Sequence, residues 1–351
     1  TVDMQDPFSW HELPYTYPHW AYDVMIYLIY NLGGFLGIFI STIVFACILG
    51  ILMYCTNYKI SKNKLISFAI TIGGMFLIKD YIAARAQLVT FILLELTILL
   101  IENFLEKKKA GYAIGIIVIS TAIANLHCAV WPFFFVIFLP YIAEYLIFTV
   151  IDAQPVYRIR KKYYDIKIKN YNKKIEKEAI EENKKILDEK LKKVIIAKEK
   201  FEEKNAKILK NREAKRKEPY KIRYNKNKNA KWLILIMAIC VLTGLLTPLG
   251  DTPYTYLYKT MKGNTTKSIS EHLPLTLINN KEMLVVLTAT LALLIFTDTK
   301  IRLKDLFMFA GLTLLMFMTR RQESMLVLLG SAVLATLITP VSYTHLTLPT
   351  I

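Results

Sequence analysis

The side chains of this sequence that could do chemistry are concentrated in the short segments between long apolar runs. They are carboxylates, histidines, arginines and amides, and the group comprises Asp3, Asp6, His11, Glu12, His19, Asp23, Asp80, Arg85, Gln87, Asn125, His127, Asp251, Glu271, His272, Arg320, Arg321, Gln322 and Glu323. Arginine binds phosphate through its forked guanidinium, and Asp, Glu or His can remove a proton from a hydroxyl. The mixture therefore predicts a site that binds an anionic phosphate and deprotonates a hydroxyl.

Other kinds of catalytic site have no signature in the sequence. It contains no glycine-rich phosphate loop, no catalytic serine motif and no cluster with metal-ligand spacing. Its four cysteines lie within or at the ends of apolar runs, which is typical of small core hydrophobes. The sequence therefore indicates no certain cofactor and no metal-ligand residues, and a divalent metal stays open.

The apolar runs predict the elements that position the polar segments. The chain is 54% hydrophobic, and its longest apolar runs approach the roughly 20 residues needed to cross a membrane. We predict spans at residues 34–55, 65–79, 86–104, 111–127, 131–150, 232–249, 283–298, 305–319 and 323–340. The predicted fold is all-α, a polytopic transmembrane helix bundle with about nine spans.

The charge distribution predicts how this bundle is oriented. The net charge is +17, and +15 of it falls within residues 151–231, where 28 Lys and Arg face 13 Asp and Glu. Basic residues also occupy the alternate loops around positions 59–64, 107–109 and 300–304, whereas residues 1–33 contain no Lys or Arg. Cytoplasmic loops retain positive charge. We therefore expect the basic segment inside a bacterial cytoplasmic membrane, with residues 1–33 and 250–282 outside.

The basic segment itself predicts a helical insert. Residues 157–216 contain no Gly or Pro, and apolar residues recur at 4-3 spacing at Leu187, Leu191, Val194, Phe201 and Ile208, interrupted by Lys198 and Asn205. We predict a cytoplasmic coiled-coil-like hairpin, between membrane regions at 1–150 and 232–340. A solvated charged helix and a helix attracted to anionic lipids are the alternatives. Nucleic-acid binding is disfavoured because acidic residues are interspersed throughout and no recognition module is present.

Six short motifs in order carry a resemblance to a known family. They are DPFSW with HWAYDVMIYLIYNLGG (6–10 and 19–34), RAQLVTF (85–91), ANLHCAVWPF (124–133), TPLGDTPYTYLYKTM (247–261), SISEHLP (268–274) and TRRQESMLVLLG (319–330). Together they resemble the bacterial GT-C-type membrane glycosyltransferases and their uncharacterised relatives. Family positions that differ include Asp23, Ala86, Cys128 and His272, which stand where that family usually has Glu, Pro, Gly and Trp.

The resemblance implies an inverting sugar transfer from a polyprenyl-phosphate donor to a hydroxyl acceptor on the outer membrane face. It implies catalytic roles for Asp6, Asp23, Glu271 and His272. It implies donor binding by Arg85, Gln87, His127, Arg320 and Arg321, in a cavity that opens sideways between spans for the lipid tail. The implied partners are the lipid-linked sugar and membrane lipids, with a cytosolic partner of the 157–228 insert as a further possibility.

Two other function classes stay open from the sequence. A transporter or lipid flippase would place ionisable residues at mid-membrane on facing spans. A non-enzymatic membrane scaffold would use the coiled-coil insert to recruit a partner. We expect residues 341–351 to be a non-native, adapter-like tail. We also expect native sequence upstream of Thr1, where an acidic residue of the family would favour the transferase over these two classes.

Overall fold

The computed structural model confirms an all-α fold. It describes residues 4–5, 14–15, 17–217, 221–223, 227–262, 269–297 and 299–346, so the predicted catalytic residue Asp6 lies outside the described residues. The described chain forms two compact units. We call residues 1–144 with 221–351 the bundle, and residues 145–220 the helical pair.

Thirteen helices can be followed through the described residues. They are α1 (Trp20–Ser61), α2 (Lys64–Leu77), α3 (Ala86–Lys107), α4 (Ala110–Leu126), α5 (Trp131–Val136), α6 (Leu139–Ala153), α7 (Pro155–Lys177), α8 (Glu181–Lys217), α9 (Ala230–Thr243), α10 (Thr252–Lys262), α11 (Lys281–Phe296), α12 (Leu303–Met318) and α13 (Glu323–Leu346). Two-residue strands, absent from the prediction, pair as β1 (Met4–Gln5) with β2 (Pro14–Tyr15) and as β3 (Ile222–Arg223) with β4 (Ile301–Arg302).

Four helical stretches among the described residues are long and apolar enough to cross a membrane. They are Trp20–Ser61, Ala86–Lys107, Cys128–Lys177 and Arg320–Pro340, and shorter apolar helices occupy Lys64–Leu77, Ala110–Leu126 and Ala230–Thr243. The helices α11 and α12 correspond to the two remaining predicted spans and have 16 residues each. Membrane character is thus supported, while the count of nine crossings stays a prediction.

Contacts between the helix ends give the bundle two chemically distinct ends. We call them the Lys304 end and the His127 end. At the Lys304 end, a Lys59–Glu106 ion pair joins the C-terminal end of α1 to the C-terminal end of α3. Asn227, which precedes α9, donates to the Leu105 carbonyl at 3.0 Å. The predicted basic loops at 59–64, 107–109 and 300–304 therefore lie at one end, as the charge pattern indicates.

The helix α13 packs against α1, α2 and α12 in the middle of the bundle, and polar side chains join three of these helices. The buried amide of Asn57 donates to Thr71 Oγ1 at 3.0 Å and accepts from Ser331 Oγ at 3.0 Å. Buried polar groups of this kind are tolerated in an apolar core because each finds a partner. One carboxyl does not: Glu95 on α3 is 1% exposed, and neither carboxyl oxygen has a hydrogen-bond partner within the described structure.

A buried ionic cluster closes the Lys304 end of the bundle. Glu102 on α3 accepts from Lys304, and its Oε1 also accepts from the Tyr141 hydroxyl at 2.9 Å. Lys304 Nζ lies 3.0 Å from Asp305 Oδ1, and Arg302 Nε donates to Asp305 Oδ2 at 3.2 Å. Charges buried away from water need partners of opposite sign, and here two cations face two carboxylates.

The helical pair consists of α7 and α8 running antiparallel. Phe201 stacks on Tyr157 with ring centroids 5.5 Å apart, and Lys198 Nζ lies 2.7 Å from Asp165 Oδ1. Asn205 donates to Gln154 at 3.3 Å. The two polar residues that interrupt the predicted apolar seam therefore have polar partners, Asp165 on α7 and Gln154 immediately before it.

Candidate functional site

Two histidines meet at the His127 end of the bundle. His127 follows the last residue of α4 and is 2% exposed, and His19 immediately precedes the first residue of α1. Their ring centroids are 4.7 Å apart. The backbone holds them together, because the Cys128 amide next to one histidine donates to the Pro18 carbonyl next to the other at 3.0 Å.

The Thr90 side chain defines the proton arrangement on His127. Thr90 Oγ1 lies 2.9 Å from His127 Nδ1 and 2.9 Å from the Ala86 carbonyl on its own helix. A hydroxyl has one proton to donate, so both bonds form together only if Thr90 donates to Ala86 and accepts from Nδ1–H. Nε2 of neutral His127 then carries the lone pair, which makes it the nitrogen able to accept a proton.

The start of α1 is tied to the histidines by a second set of hydrogen bonds. Trp20 Nε1 donates to Asn125 Oδ1 at 3.1 Å. The Asn125 amide in turn donates to the Leu246 carbonyl, beyond α9, at 3.0 Å. Trp20, Asn125 and His127 all fall in the motifs that carry the family resemblance, and Asn125 links three parts of the chain.

Arg321 contributes the positive charge nearest to this histidine pair. It is half-buried and lies within electrostatic range of both rings. Burial lowers the pKa of His19 from its ordinary value, Arg321 acts in the same direction, and Asp23 opposes the shift. His19 is therefore neutral at pH 7, next to a guanidinium that needs an anion.

A second group forms around Tyr81, between α2 and α3. The Arg320 amide donates to the Leu273 carbonyl at 2.9 Å, which joins the turn at 320–322 to the turn at 270–272. Arg320 and Glu271 are both exposed and both influence Tyr81 electrostatically. Burial, with help from Glu323, raises the pKa of Tyr81 to about 12, so the phenol keeps its proton and can donate it to a ligand.

An apolar groove opens between α1 and α2 close to Tyr81. Its volume is about 490 Å³, and it is lined by Phe39, Thr42, Ile43, Ala46, Cys47, Gly50, Met75 and Ile82. Ile82 is the residue that follows Tyr81. The groove therefore runs along apolar helix faces and reaches the edge of the polar group at the His127 end.

The structure brings together part of the predicted site. His127, Arg321 and Asp23 share one group through His19, and Arg320 and Glu271 share the other through Tyr81. The remaining three predicted residues are not joined to these groups by a hydrogen bond or ion pair among the described residues. They are the exposed Arg85 at the start of α3 and the half-buried Gln87 and His272.

Three members of the two groups were absent from the predicted site. The sequence marks His19 as polar but indicates no role for it, because its partner His127 lies more than 100 residues away in sequence. No motif assigns a role to Thr90 or Tyr81. A threonine within an apolar helix and a tyrosine next to Asp80 are weak signals, because both residue types commonly pack without a chemical role.

A metal site receives no support from the part of the chain that the structure describes. No group of three His, Cys, Asp or Glu side chains there could hold a metal ion. Comparison with known proteins gives no further guide: no protein-family model matches the sequence, and neither the curated proteins nor the solved structures include a significant match.

Proposed function

We propose that this chain is a membrane glycosyltransferase that moves a sugar from a polyprenyl-phosphate donor to a hydroxyl acceptor. The observation that carries the proposal is the meeting of His19, His127 and Arg321 next to Arg320 and Glu271 at one end of an apolar helix bundle. Cations, carboxylates and neutral imidazoles are the groups such a transfer needs. The motif resemblance supports the same reading.

The groove supplies a place for the lipid part of the donor. A polyprenyl tail is apolar and stays in the membrane, whereas its phosphate must reach cations at the membrane surface. The groove is almost wholly apolar and is lined by Ile82, the residue after Tyr81, whose hydroxyl donates to the Arg320 backbone carbonyl at 3.5 Å. In this proposal the tail lies in the groove and the phosphate lies at the neighbouring polar surface.

The proposed reaction assigns a role to each group. Arg320 and Arg321 bind the donor phosphate, with Arg85, Gln87 and His127 completing donor binding. Asp23 or Glu271 removes the proton of the acceptor hydroxyl, with Asp6 and His272 assisting, as that oxygen attacks the anomeric carbon of the sugar. The bond from that carbon to the phosphate oxygen breaks, and polyprenyl phosphate leaves with the electron pair, stabilised by the arginines.

The proposal includes a membrane topology. Nine crossings of a bacterial cytoplasmic membrane would put the His127 end outside and the Lys304 end, with the coiled-coil-like insert, inside. This orientation gives the proposed site access to extracytoplasmic acceptors. A cytosolic partner of the insert stays a prediction of the same topology.

Binding and transfer can be tested separately with purified protein in lipid nanodiscs. Native mass spectrometry should detect bound undecaprenyl phosphate, and Arg320→Gln with Arg321→Gln should abolish it. Lys259→Gln, which removes an exposed cation on α10, is the matched control and should bind normally. A pool of polyprenyl-phosphate sugars then tests turnover, where Asp23→Asn should bind donor but transfer nothing. Normal binding by the double arginine variant would refute the proposal.

A flippase or transporter is the second candidate, because of Glu95. This carboxyl is buried in the middle of α3, and its polar neighbour is the Thr56 hydroxyl, which lies close enough to favour the charged form but outside hydrogen-bond geometry. Ionisable residues inside a membrane are costly and commonly functional. A flippase would lose lipid translocation on Glu95→Gln, whereas the transferase should keep full sugar transfer in that variant.

A further inference from the structure

One face of α7 is occupied by its partner helix. Tyr157 and Tyr164 contact Phe201, with ring centroids 5.5 and 5.9 Å away, and Lys161 pairs with Glu202 at 3.2 Å. Positions 157, 161 and 164 follow the 4-3 spacing of one helix face. This face of the helix is therefore accounted for by packing within the helical pair.

A different face of the same helix carries large apolar side chains that nothing covers. Val156 is 75% exposed, Ile159 71%, Tyr163 56% and Ile166 50%. Their 3-4-3 spacing places all four along one line, which lies roughly opposite the face that packs on α8. We call these four residues the α7 stripe. It extends for about 15 Å at 1.5 Å per residue.

Basic residues border the α7 stripe on both sides. At 100° per residue, Arg160 and Lys167 fall along one edge, and Lys162 and Lys169 along the other. Lys167 Nζ lies 5.7 Å from the centroid of the Tyr163 ring, so cation and stripe are in contact. An apolar strip between two rows of cations is the pattern of helices that lie in a membrane interface.

Helix α7 directly follows an apolar helical segment in the sequence. The apolar helical stretch that begins at Cys128 runs through α6, and Gln154 then breaks it with a left-handed backbone (φ 43°, ψ 58°). Pro155 begins α7 immediately afterwards. The α7 stripe thus starts three residues after the end of α6, which belongs to a stretch apolar enough to cross a membrane.

We propose that the α7 stripe binds the headgroup region of a membrane that contains anionic phospholipid. Charge complementarity selects this occupant, since α7 has nine Lys and Arg against Asp165 and Glu176. Pairing with a second copy of α7 would bring two strongly basic surfaces together. In the lipid interface, by contrast, the four apolar side chains enter the acyl boundary while Lys167 on one edge and Lys162 and Lys169 on the other reach phosphate groups. Arg160 lies over the Phe201 ring, 5.1 Å from its centroid.

Spin labels on the full-length protein in vesicles test the proposal. In a background without Cys47, Cys55, Cys128 and Cys240, single labels replace Ile159, Tyr163 or, as a control on the exposed face of α8, Glu189. Accessibility to oxygen reports lipid contact, and accessibility to a water-soluble nickel complex reports water. Vesicles of phosphatidylcholine with phosphatidylglycerol are compared with vesicles of phosphatidylcholine alone.

The expected result is that the labels at 159 and 163 favour oxygen in the phosphatidylglycerol vesicles, while the label at 189 favours nickel. That contrast should be lost in phosphatidylcholine alone, and in the variant with Arg160, Lys162, Lys167 and Lys169 all replaced by Gln. Circular dichroism checks that the variant keeps its helices. Nickel-accessible stripe labels in anionic vesicles would overturn the proposal. So would labels shielded from both reagents, or spin–spin broadening between copies, because these indicate a protein occupant.

Discussion

Two carboxyls on α3, Glu95 and Glu102, should respond to the same substitution with opposite signs. They are seven residues apart, so they lie two turns apart on one face of the helix. Glu95 has no partner within the described structure, whereas Glu102 accepts hydrogen bonds from Lys304 and Tyr141. A leucine in place of each therefore removes an uncompensated polar group in one case and an established ion pair in the other.

The expected magnitudes follow from these contacts. Burying a polar group without a hydrogen bond costs about 1–3 kcal/mol in proteins, so Glu95→Leu should raise the free energy of unfolding by roughly that amount. Removing one partner of a buried ion pair costs about 3–5 kcal/mol, so Glu102→Leu should lower it, because Lys304 keeps only Asp305. Each kcal/mol corresponds to roughly 2–4 °C in Tm for chains of about 150–250 residues, and the shift per kcal/mol is smaller in a longer chain.

Thermal unfolding in one detergent, followed by intrinsic fluorescence, measures both variants against the unaltered protein. Membrane proteins often unfold irreversibly, so all samples are heated at the same scan rate and ranked by apparent Tm. The pair controls for the general effect of adding a leucine to α3. If Glu95→Leu lowered Tm as much as Glu102→Leu, the Glu95 carboxyl would have a stabilising partner, and the reasoning would fail.

Three further outcomes are expected. Thr90→Val should destabilise the protein by about 1–3 kcal/mol, because it leaves the His127 Nδ1–H without an acceptor, whereas Thr90→Ser should retain most of the stability in the same melt. Burial holds the pKa of His19 below its unfolded value of 6.5, so the stability linked to this residue is present above pH 6.5 and falls as the pH drops below it. His19→Gln should therefore flatten the acidic part of a plot of Tm against pH. An unchanged plot would contradict the assignment. A cysteine at Tyr258 on α10 should be labelled by an impermeant maleimide from outside cells and one at Glu203 should not, while the reverse pattern would invert the proposed topology.

The all-α class and the apolar helices are predictable from the sequence because apolar length is a local signal. The helices α2, α4 and α9 each overlap a predicted span, and the seam residue Phe201 stacks on Tyr157 of the opposing helix, while the nine crossings and the coiled coil stay predictions. The confirmed predictions depend only on the fact that apolar side chains are buried away from water and charged side chains are kept out of lipid. The short strands escaped prediction because two-residue pairs leave no periodicity.

The candidate site was less predictable because its contacts join distant parts of the chain. The pairing of His19 with His127 depends on how the start of α1 packs on the end of α4, and no spacing encodes that. Thr90 gains its role only from the neighbouring imidazole. Arg85 shows the converse, since its motif suggested a phosphate contact, whereas its side chain is exposed without a partner among the described residues.

The turn at 320–322 places two cations on consecutive residues, one for each polar group at the His127 end. Arg321 acts on the histidine pair and Arg320 on Tyr81, and the Arg320 amide is anchored to the Leu273 carbonyl. Because Arg320 and Arg321 are consecutive residues, one peptide bond separates the cation of the Tyr81 group from the cation of the histidine pair. A single phosphate bound by both guanidinium groups would therefore contact the histidine pair and the Tyr81 group at the same time. Such a ligand would need to satisfy both groups at once, which restricts it to an anion with several acceptor oxygens.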